Sequence, residues 1–298
     1  TSCRSSRETS CSSSSLKTSL QSRSHSLGTL RLRTKAMARV GCSSVTKPDH
    51  QSHDPVQIEL MKEECILVDP LDRVTGHASK YQTHILTNIE KGTALHRAFS
   101  VFLFDSSGRL VLQKRASSKI TFPDMWTNTC CSHPLYRPEE LEEKDHIGVR
   151  RAAVRKLNHE LGITSDWISP DDIVFLTRII YQAPSNDEWG EHEVDYILFA
   201  QKDIPVDRLN ENEVSQVSYV TKNELQSILD TRTINEHEEA KLTPWFAMVA
   251  QSGLLFRWWD QLPQIIQQKG LSNEDERNKI FPLSLDDASS VPEELLKT

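Results

Sequence analysis

Two short stretches of this sequence hold residue types that can do chemistry. The first is Trp126-Thr127-Asn128-Thr129-Cys130-Cys131-Ser132-His133-Pro134. In an extended chain side chains alternate in direction, so Cys131 and His133 share one face and Cys130 points away. A cysteine two residues from a histidine can be a nucleophile with its base, a pair of metal ligands, or a proton donor beside a metal ligand. A buried cysteine near a turn histidine has the same spelling, so the spacing leaves these readings open. The second stretch is Trp189-Gly190-Glu191-His192-Glu193-Val194-Asp195-Tyr196. As a strand it sets Glu191, Glu193 and Asp195 on one side, with Val194, Tyr196, Leu198 and Ala200 on the other. Like charges repel unless their face is solvated or holds cations. Ile197 and Phe199 share the acidic side, so that side is not uniformly wet, and carboxylates there favour a cation.

A scattered set of candidates surrounds these two. Lys80, His84, His96, Arg115 and Lys119 all lie upstream of the first stretch. Arg115 and Lys119 are four apart and can converge on one anion if their segment turns back.

These residues need elements to position them. Glu64–Val68 reads as a first strand, followed by a turn at Asp69-Pro70-Leu71-Asp72. The apolar runs Ala98–Phe104 and Arg109–Lys114 flank Asp105-Ser106-Ser107-Gly108 and predict a β-hairpin. Glu139–Leu161 reads as one helix, with Ala153, Val154, Leu157 and Leu161 on a face and Gly162 as the stop. Ile173–Tyr181 and Glu191–Ala200 read as strands. Thr221–Leu229 and Pro244–Leu262 read as helices, the second with Phe246, Leu254 and Trp258 on an apolar face. This order of elements predicts an α/β or α+β sandwich. Residues from about 270 onward are polar and acidic and read as a weakly packed extension.

The chain has 298 residues and a formal net charge of -7, with 37% hydrophobic residues. That length suits one large domain with extensions, or at most two domains. The acidity offers no whole-chain attraction for nucleic acid, so an anionic ligand must be held by local basic groups. No apolar run approaches the roughly 20 residues that span a bilayer, so no membrane insertion is expected. The cysteines are Cys3, Cys11, Cys42, Cys65, Cys130 and Cys131. Their placement does not suggest a disulfide framework, and a reducing compartment fits better. Residues 1–48 are serine-rich and carry Arg4, Arg7, Lys17, Arg23, Arg31, Arg33, Lys35 and Arg39 against one acid, Glu8. That composition is the signature of a transit peptide, for a plastid, a mitochondrion or both.

The two motifs together resemble the pair of active-site motifs of type I isopentenyl-diphosphate isomerases. His96-Arg97-Ala98-Phe99-Ser100-Val101-Phe102, Gln113-Lys114-Arg115-Ala116 and Thr243-Pro244-Trp245 are similar to that family as well, in its order. The resemblance spans about residues 56–275. It implies a Nudix-type α/β/α sandwich with a mixed sheet, a domain over 49–270 and an extension over 271–298. It also implies a plastid-targeted plant form, a monomer, and a small diphosphate substrate. The resemblance assigns Cys131 and Glu193 as catalytic residues, and His84, His96, His133, Glu191 and Glu193 as metal ligands. It assigns Lys80, Arg115 and Lys119 to the diphosphate, Ser132 to a substrate contact, and Tyr181 and Trp245 to the pocket wall. Glu160 would sit near a second, diphosphate-bound metal ion, with Arg155 approaching the diphosphate.

The implied reaction shifts the double bond of an unactivated alkene through a tertiary carbocation. One group must deliver a proton and another must remove a different one. The face of Trp245 would stabilise the cation by about 2 kcal/mol when desolvated. Three imidazoles with two carboxylates suit zinc or manganese on ligand preference, whereas the resemblance implies magnesium or manganese, with magnesium first. Two other readings compete. A Nudix hydrolase carries Arg-Glu-x-x-Glu-Glu-x-Gly on a helix, and here that stretch is Arg155-Lys156-Leu157-Asn158-His159-Glu160-Leu161-Gly162, with Lys156 and His159 in place of glutamates. A structural zinc module would need paired cysteine spacing, which is absent from the sequence.

Overall fold

A computed structural model of the chain describes residues 53–234 and 238–284. The reading of residues 1–48 as a transit peptide falls outside the described residues. Helix α1 (Pro55–Leu60) leads into strands β1 (Glu64–Val68) and β2 (Val74–Ser79), then helices α2 (Lys80–His84) and α3 (Leu86–Glu90). Strands β3 (His96–Phe104), β4 (Leu110–Arg115), β5 (Trp126–Thr127) and β6 (Cys130–Ser132) follow, then helices α4 (Pro138–Leu141) and α5 (Ile147–Leu161). Next come β7 (Val174–Pro184), β8 (Gly190–Gln201), β9 (Val214–Val220), α6 (Lys222–Thr231) and the small ladder of β10 (Thr233–Ile234) with β11 (Glu238–Glu239). Helices α7 (Pro244–Gln251), α8 (Leu254–Asp260), α9 (Leu262–Gln268) and α10 (Glu274–Asn278) precede β12 (Ile280–Pro282).

The main sheet runs β12-β7-β8-β3-β1-β2, with β4 and β6 also pairing to β3. Strands β3 and β8 are parallel in register from His96↔Glu193 to Phe104↔Gln201. β7 and β8 are antiparallel, so the sheet is mixed. Every residue of β3 is buried, because helices cover both faces; this is why its sequence does not alternate in polarity. Side chains still alternate in direction. Phe99 and Val101 pack with Val149, Ala153 and Leu157 of α5. Phe102 and Phe104 pack with Phe246, Leu254 and Trp258 of α7 and α8. Two helical layers therefore enclose the sheet, the expected α/β/α sandwich.

Four details differ from the sequence reading. The hairpin is vestigial: β3 meets β4 at Phe104↔Leu110, after which β4 pairs with β5 and β9. β6 takes the edge of β3 instead, with Ser100↔Cys131 at its centre. The helix expected over Glu139–Leu161 is broken between α4 and α5, where Asp145 and His146 take positive φ of 52° and 56°. The break lets Glu140 turn inward, where it accepts from Leu135 N at 2.7 Å and Arg155 Nε at 2.8 Å. The helix expected over Pro244–Leu262 is divided at Gly253, whose φ of 78° ends one turn and starts the next. Gly162 does stop α5, with φ 66°.

The segment beyond 270 joins the sheet. β12 pairs parallel with β7, and Glu276 accepts from Arg257 Nη2 at 2.6 Å and Trp258 Nε1 at 2.8 Å. Phe281 lies in the same core as Trp258. Truncating it to alanine removes a buried aromatic, so Phe281→Ala should cost about 3 kcal/mol. Urea unfolding checks this. A loss below about 0.5 kcal/mol would mean that the segment adds nothing to the core.

Candidate active site

His84, His96, His133 and Glu193 come from four separate places in the chain and meet in the interior. Ser79 caps α2 through a capping box with Gln82, which fixes Lys80 at its start and His84 at its end. An isolated bridge from Ile85 to Trp189 ties that end to the start of β8. His96 opens β3 and Glu193 lies opposite it on β8. His133 follows directly on β6. Each pair of imidazole rings has centroids 4.9 Å apart. One donor atom from each of the four residues lies within 4.8 Å of all the others.

The donor set fits a metal ion. His84 Nδ1 donates to Lys80 O and His96 Nδ1 to Ala94 O, both at 2.8 Å. A carbonyl only accepts, so these contacts leave each Nε2 as a bare lone pair, the usual orientation of a ligating histidine. His84 Nε2 and His96 Nε2 are buried and without a hydrogen-bond partner. Such atoms are costly unless something coordinates them. Burial, helped by the charge of Lys80, pushes His133 down to about 3 and His84 well below its ordinary value. Both rings are neutral, as ligands must be. Burial alone would push Glu193 up, but the hydrogen bond from His133 and the surrounding imidazoles outweigh it and hold the carboxyl ionised. Its Oε1 lies 2.8 Å from His133 Nε2.

Glu191 stands beside this cluster and is not one of its four members. Burial and the charge of Glu193 push it up to about 8. Tyr181 Oη lies 2.6 Å from Glu193 Oε2 and 3.0 Å from Glu191 Oε2. One phenolic hydrogen serves two carboxyl groups, which is comfortable when Glu191 carries a proton. Thr121 Oγ1 donates to the other oxygen of Glu191 at 3.3 Å.

The adjacent cysteines face opposite ways, as strand alternation predicts. Cys130 is fully buried in the core beneath α5. Cys131 lines the cavity with Glu193 and Ser132, and Arg115 Nη1 approaches its sulfur at 3.8 Å. Burial pushes the Cys131 thiol up to about 12 against the pull of Arg115, so it keeps its proton at neutral pH.

Lys80, Arg115, Lys119 and Lys156 line the same cavity, with Glu160 among them. Lys119 Nζ pairs with Glu213 Oε2 at 2.5 Å and Lys156 Nζ with Glu160 Oε1 at 3.3 Å. Arg115 is aimed by the carbonyls of Phe122 and Thr121, at 3.0 and 2.7 Å. Arg155 is placed elsewhere: it holds Glu140 and donates to His133 O at 3.1 Å, so it braces the loop behind the cavity. Trp245 and Tyr181 form an aromatic wall, with ring centroids 6.2 Å apart. Phe122 meets Trp245 edge-on at 5.3 Å. Trp245 Nε1 donates to Asn128 Oδ1 at 3.0 Å.

Sequence reasoning missed Lys156, Glu213, Asn128 and Asp195. Asp195 had a signal, since it shares the strand side of Glu191 and Glu193. It is buried, accepts from Ser100 Oγ at 2.8 Å, and has its other oxygen unpartnered. Burial and the charge of Glu193 push it well above the carboxylate range. Lys156 and Glu160 are one helical turn apart, also a legible pairing.

The buried histidines make the metal-free protein acid-sensitive. A histidine near 6.5 unfolded and near 3 folded binds its proton first in the unfolded chain, so stability falls as pH drops below 6.5. At pH 5 the loss for His133 is about 2 kcal/mol. Urea titrations of metal-free protein should show it between pH 7 and pH 5, and His133→Asn should flatten that dependence. An unchanged slope in the variant would show that His133 is not buried in neutral form.

Among the described residues no helix is long and apolar enough to cross a membrane. The NUDIX domain model matches residues 94–246. The chain is 50% identical over 242 residues to an isopentenyl-diphosphate delta-isomerase of Phaffia rhodozyma, covering 80% of this chain and 90% of that one. It is 50% identical over 212 residues to isopentenyl-diphosphate delta-isomerase 1 of Bos taurus, covering 71% and 91%. It is 48% identical over 221 residues to the chloroplastic isopentenyl-diphosphate delta-isomerase II of Arabidopsis thaliana, covering 74% and 77%. With this cavity inside that fold and identity of this extent, the chain belongs to the isopentenyl-diphosphate delta-isomerases of the NUDIX domain family.

Proposed function

We propose that the chain isomerises isopentenyl diphosphate to dimethylallyl diphosphate in isoprenoid biosynthesis. The observation that carries this is a proton-bearing thiol, Cys131, and an ionised carboxylate, Glu193, facing one cavity that also holds four cations and an aromatic wall. The terminal alkene carbon takes a proton and leaves a tertiary cation. The carbon between that centre and the diphosphate-bearing carbon loses a different proton, and the double bond re-forms there. Cys131 and Glu193 hold the two proton-transfer positions, and Tyr181 can pass a proton to Glu193 across 2.6 Å. Trp245 faces the cation, which needs stabilisation by a group that will not trap it.

Lys80, Arg115, Lys119 and Lys156 receive the diphosphate, with Ser132 at their edge. Hydrolysis is disfavoured because Lys156 stands among them where a hydrolase helix would carry a metal-binding glutamate. His84, His96, His133 and Glu193 would hold a divalent ion, with Glu191 beside it, and Glu160 would face a second ion carried by the diphosphate. The ion supplies fixed positive charge that orients the carboxylates and the substrate. We assign magnesium, although the nitrogen-rich donor set also suits manganese or zinc. The serine- and arginine-rich residues 1–48 support delivery to a plastid, and we take the chain to act as a monomer.

Incubating metal-loaded protein with isopentenyl diphosphate in deuterated water tests the reaction. Deuterium should appear in a methyl group of dimethylallyl diphosphate. Release of inorganic phosphate without an isomer would defeat the proposal. The two cysteines give a second test. Cys131→Ala should lower turnover by about a thousandfold or more with unchanged circular dichroism, while Cys130→Ala keeps most of the rate and loses about 1 kcal/mol of stability. Equal losses of rate would remove Cys131 from the chemistry.

A further inference from the structure

We propose that Glu213 is a positioning residue that holds the Lys119 ammonium at the diphosphate subsite, and that helix α1 supports it through Gln57. This rests on the reading that Lys119 receives the diphosphate. Lys119 lines the cavity and Glu213 does not. Glu213 is 3% exposed, so its charge is spent on what it touches. Its Oε2 lies 2.5 Å from Lys119 Nζ. Its Oε1 accepts from Gln57 Nε2 at 3.2 Å. Gln57 also donates to Asn212 O at 3.0 Å, and Ser118 Oγ donates to the same carbonyl at 3.0 Å. The backbone closes the frame: Ala116 N donates to Glu213 O at 3.0 Å. A register shift between Lys114↔Gln216 and Arg115↔Val214 leaves Ser215 as an extra residue beside this corner.

The need for such a partner is electrostatic. Lys80 on α2, Arg115 on β4 and Lys156 on α5 all repel a charge on Lys119, while Glu213 attracts it. Glu160 and Glu191 also face the cavity, the first paired with Lys156 and the second bonded to Tyr181. Burial already pushes Lys119 down to about 8 with Glu213 in place. Without that carboxylate it falls further and the ammonium is lost near neutrality. A helix that contributes no cavity residue thereby governs anion affinity.

Calorimetric binding of inorganic pyrophosphate to the full chain, with magnesium present, tests this without relying on turnover. At pH 8, Lys119→Ala should weaken binding about tenfold, and Glu213→Gln should reproduce most of that loss. At pH 6, Glu213→Gln should recover to within about threefold of the unmodified chain, since the lysine is protonated again, whereas Lys119→Ala should not recover. Glu213→Asp should keep most of the affinity. Gln57→Ala should shift binding in the same direction to a smaller extent, and it serves as the test if Glu213→Gln does not fold. In turnover, Glu213→Gln should raise KM and leave kcat within about twofold. If Lys119→Ala is weak and Glu213→Gln or Gln57→Ala binds as tightly as the unmodified chain at pH 8, the positioning role is wrong. A loss in Glu213→Gln that is equal at both pH values marks a merely structural role and also overturns it. If Lys119→Ala itself binds normally, the diphosphate reading of Lys119 fails and the proposal fails with it.

Discussion

The site depends on one buried ionised carboxylate. Parallel pairing of β3 with β8 puts His96 opposite Glu193, in a place that is 5% exposed for the glutamate. Taking a carboxylate out of water is expensive unless donors and positive charge surround it. His96, His133 and Tyr181 crowd around Glu193 for that reason, and His84 joins them from α2. Once Glu193 is charged, its neighbours lose that option. Glu191 and Asp195, on the same side of the strand, are both pushed upward by burial and by the charge of Glu193. Three acids that look alike in sequence thus divide, with Glu193 held low and Glu191 and Asp195 pushed high, and such separation is what acid–base chemistry needs.

The cations obey the same accounting from the other side. Lys80, Arg115, Lys119 and Lys156 approach one small space, and four like charges there would drive one another to deprotonate. Glu213 and Glu160 each take one lysine, while Arg115 is steered by neutral carbonyls and keeps more of its charge free. An anion entering the cavity therefore meets cations that are already held in place. Affinity gained from such preorganisation comes from side chains that no longer have to be ordered on binding.

How much of this was legible in the sequence depends on whether the deciding contact is local. The opposite orientations of Cys130 and Cys131 follow from strand alternation, which is a property of three consecutive residues. The acids of β8 and the stop at Gly162 are local in the same sense. The hairpin was misjudged because β6, almost thirty residues later in the chain, displaces β4 from the edge of β3. The long helix before Gly162 was misjudged because Glu140 gains more from Arg155 and the Leu135 amide than from continuing the helix. Glu213 and Asn128 were invisible because the partners that tie them to the site, Lys119 and Gln57 for the first and Val101 and Trp245 for the second, are distant in sequence. Arg155 was assigned to the diphosphate by resemblance, but its contacts place it one layer behind.

Asn128 shows how far preorganisation reaches beyond charge. Its amide is fully used: Nδ2 donates to Val101 O and Cys130 O, both at 3.0 Å, and Oδ1 accepts from Trp245 Nε1 at 3.0 Å and Thr127 Oγ1 at 2.9 Å. Those partners fix which atom is oxygen, because two are carbonyls and one is an indole N–H. Thr127 in turn accepts from Thr243, the residue that precedes α7 and Trp245, at 2.8 Å. The indole is therefore tied to the strand that carries Cys131. An interaction between a ring face and a cation depends on the distance and tilt of the ring, and a loose tryptophan would forfeit part of it. In the proposed reaction the cation exists only in passing, so the ring must be in place beforehand; energy used to orient it during the reaction would be subtracted from the stabilisation it gives. The hydrogen bonds of Asn128 meet that cost at folding, when strand, helix and ring are ordered together.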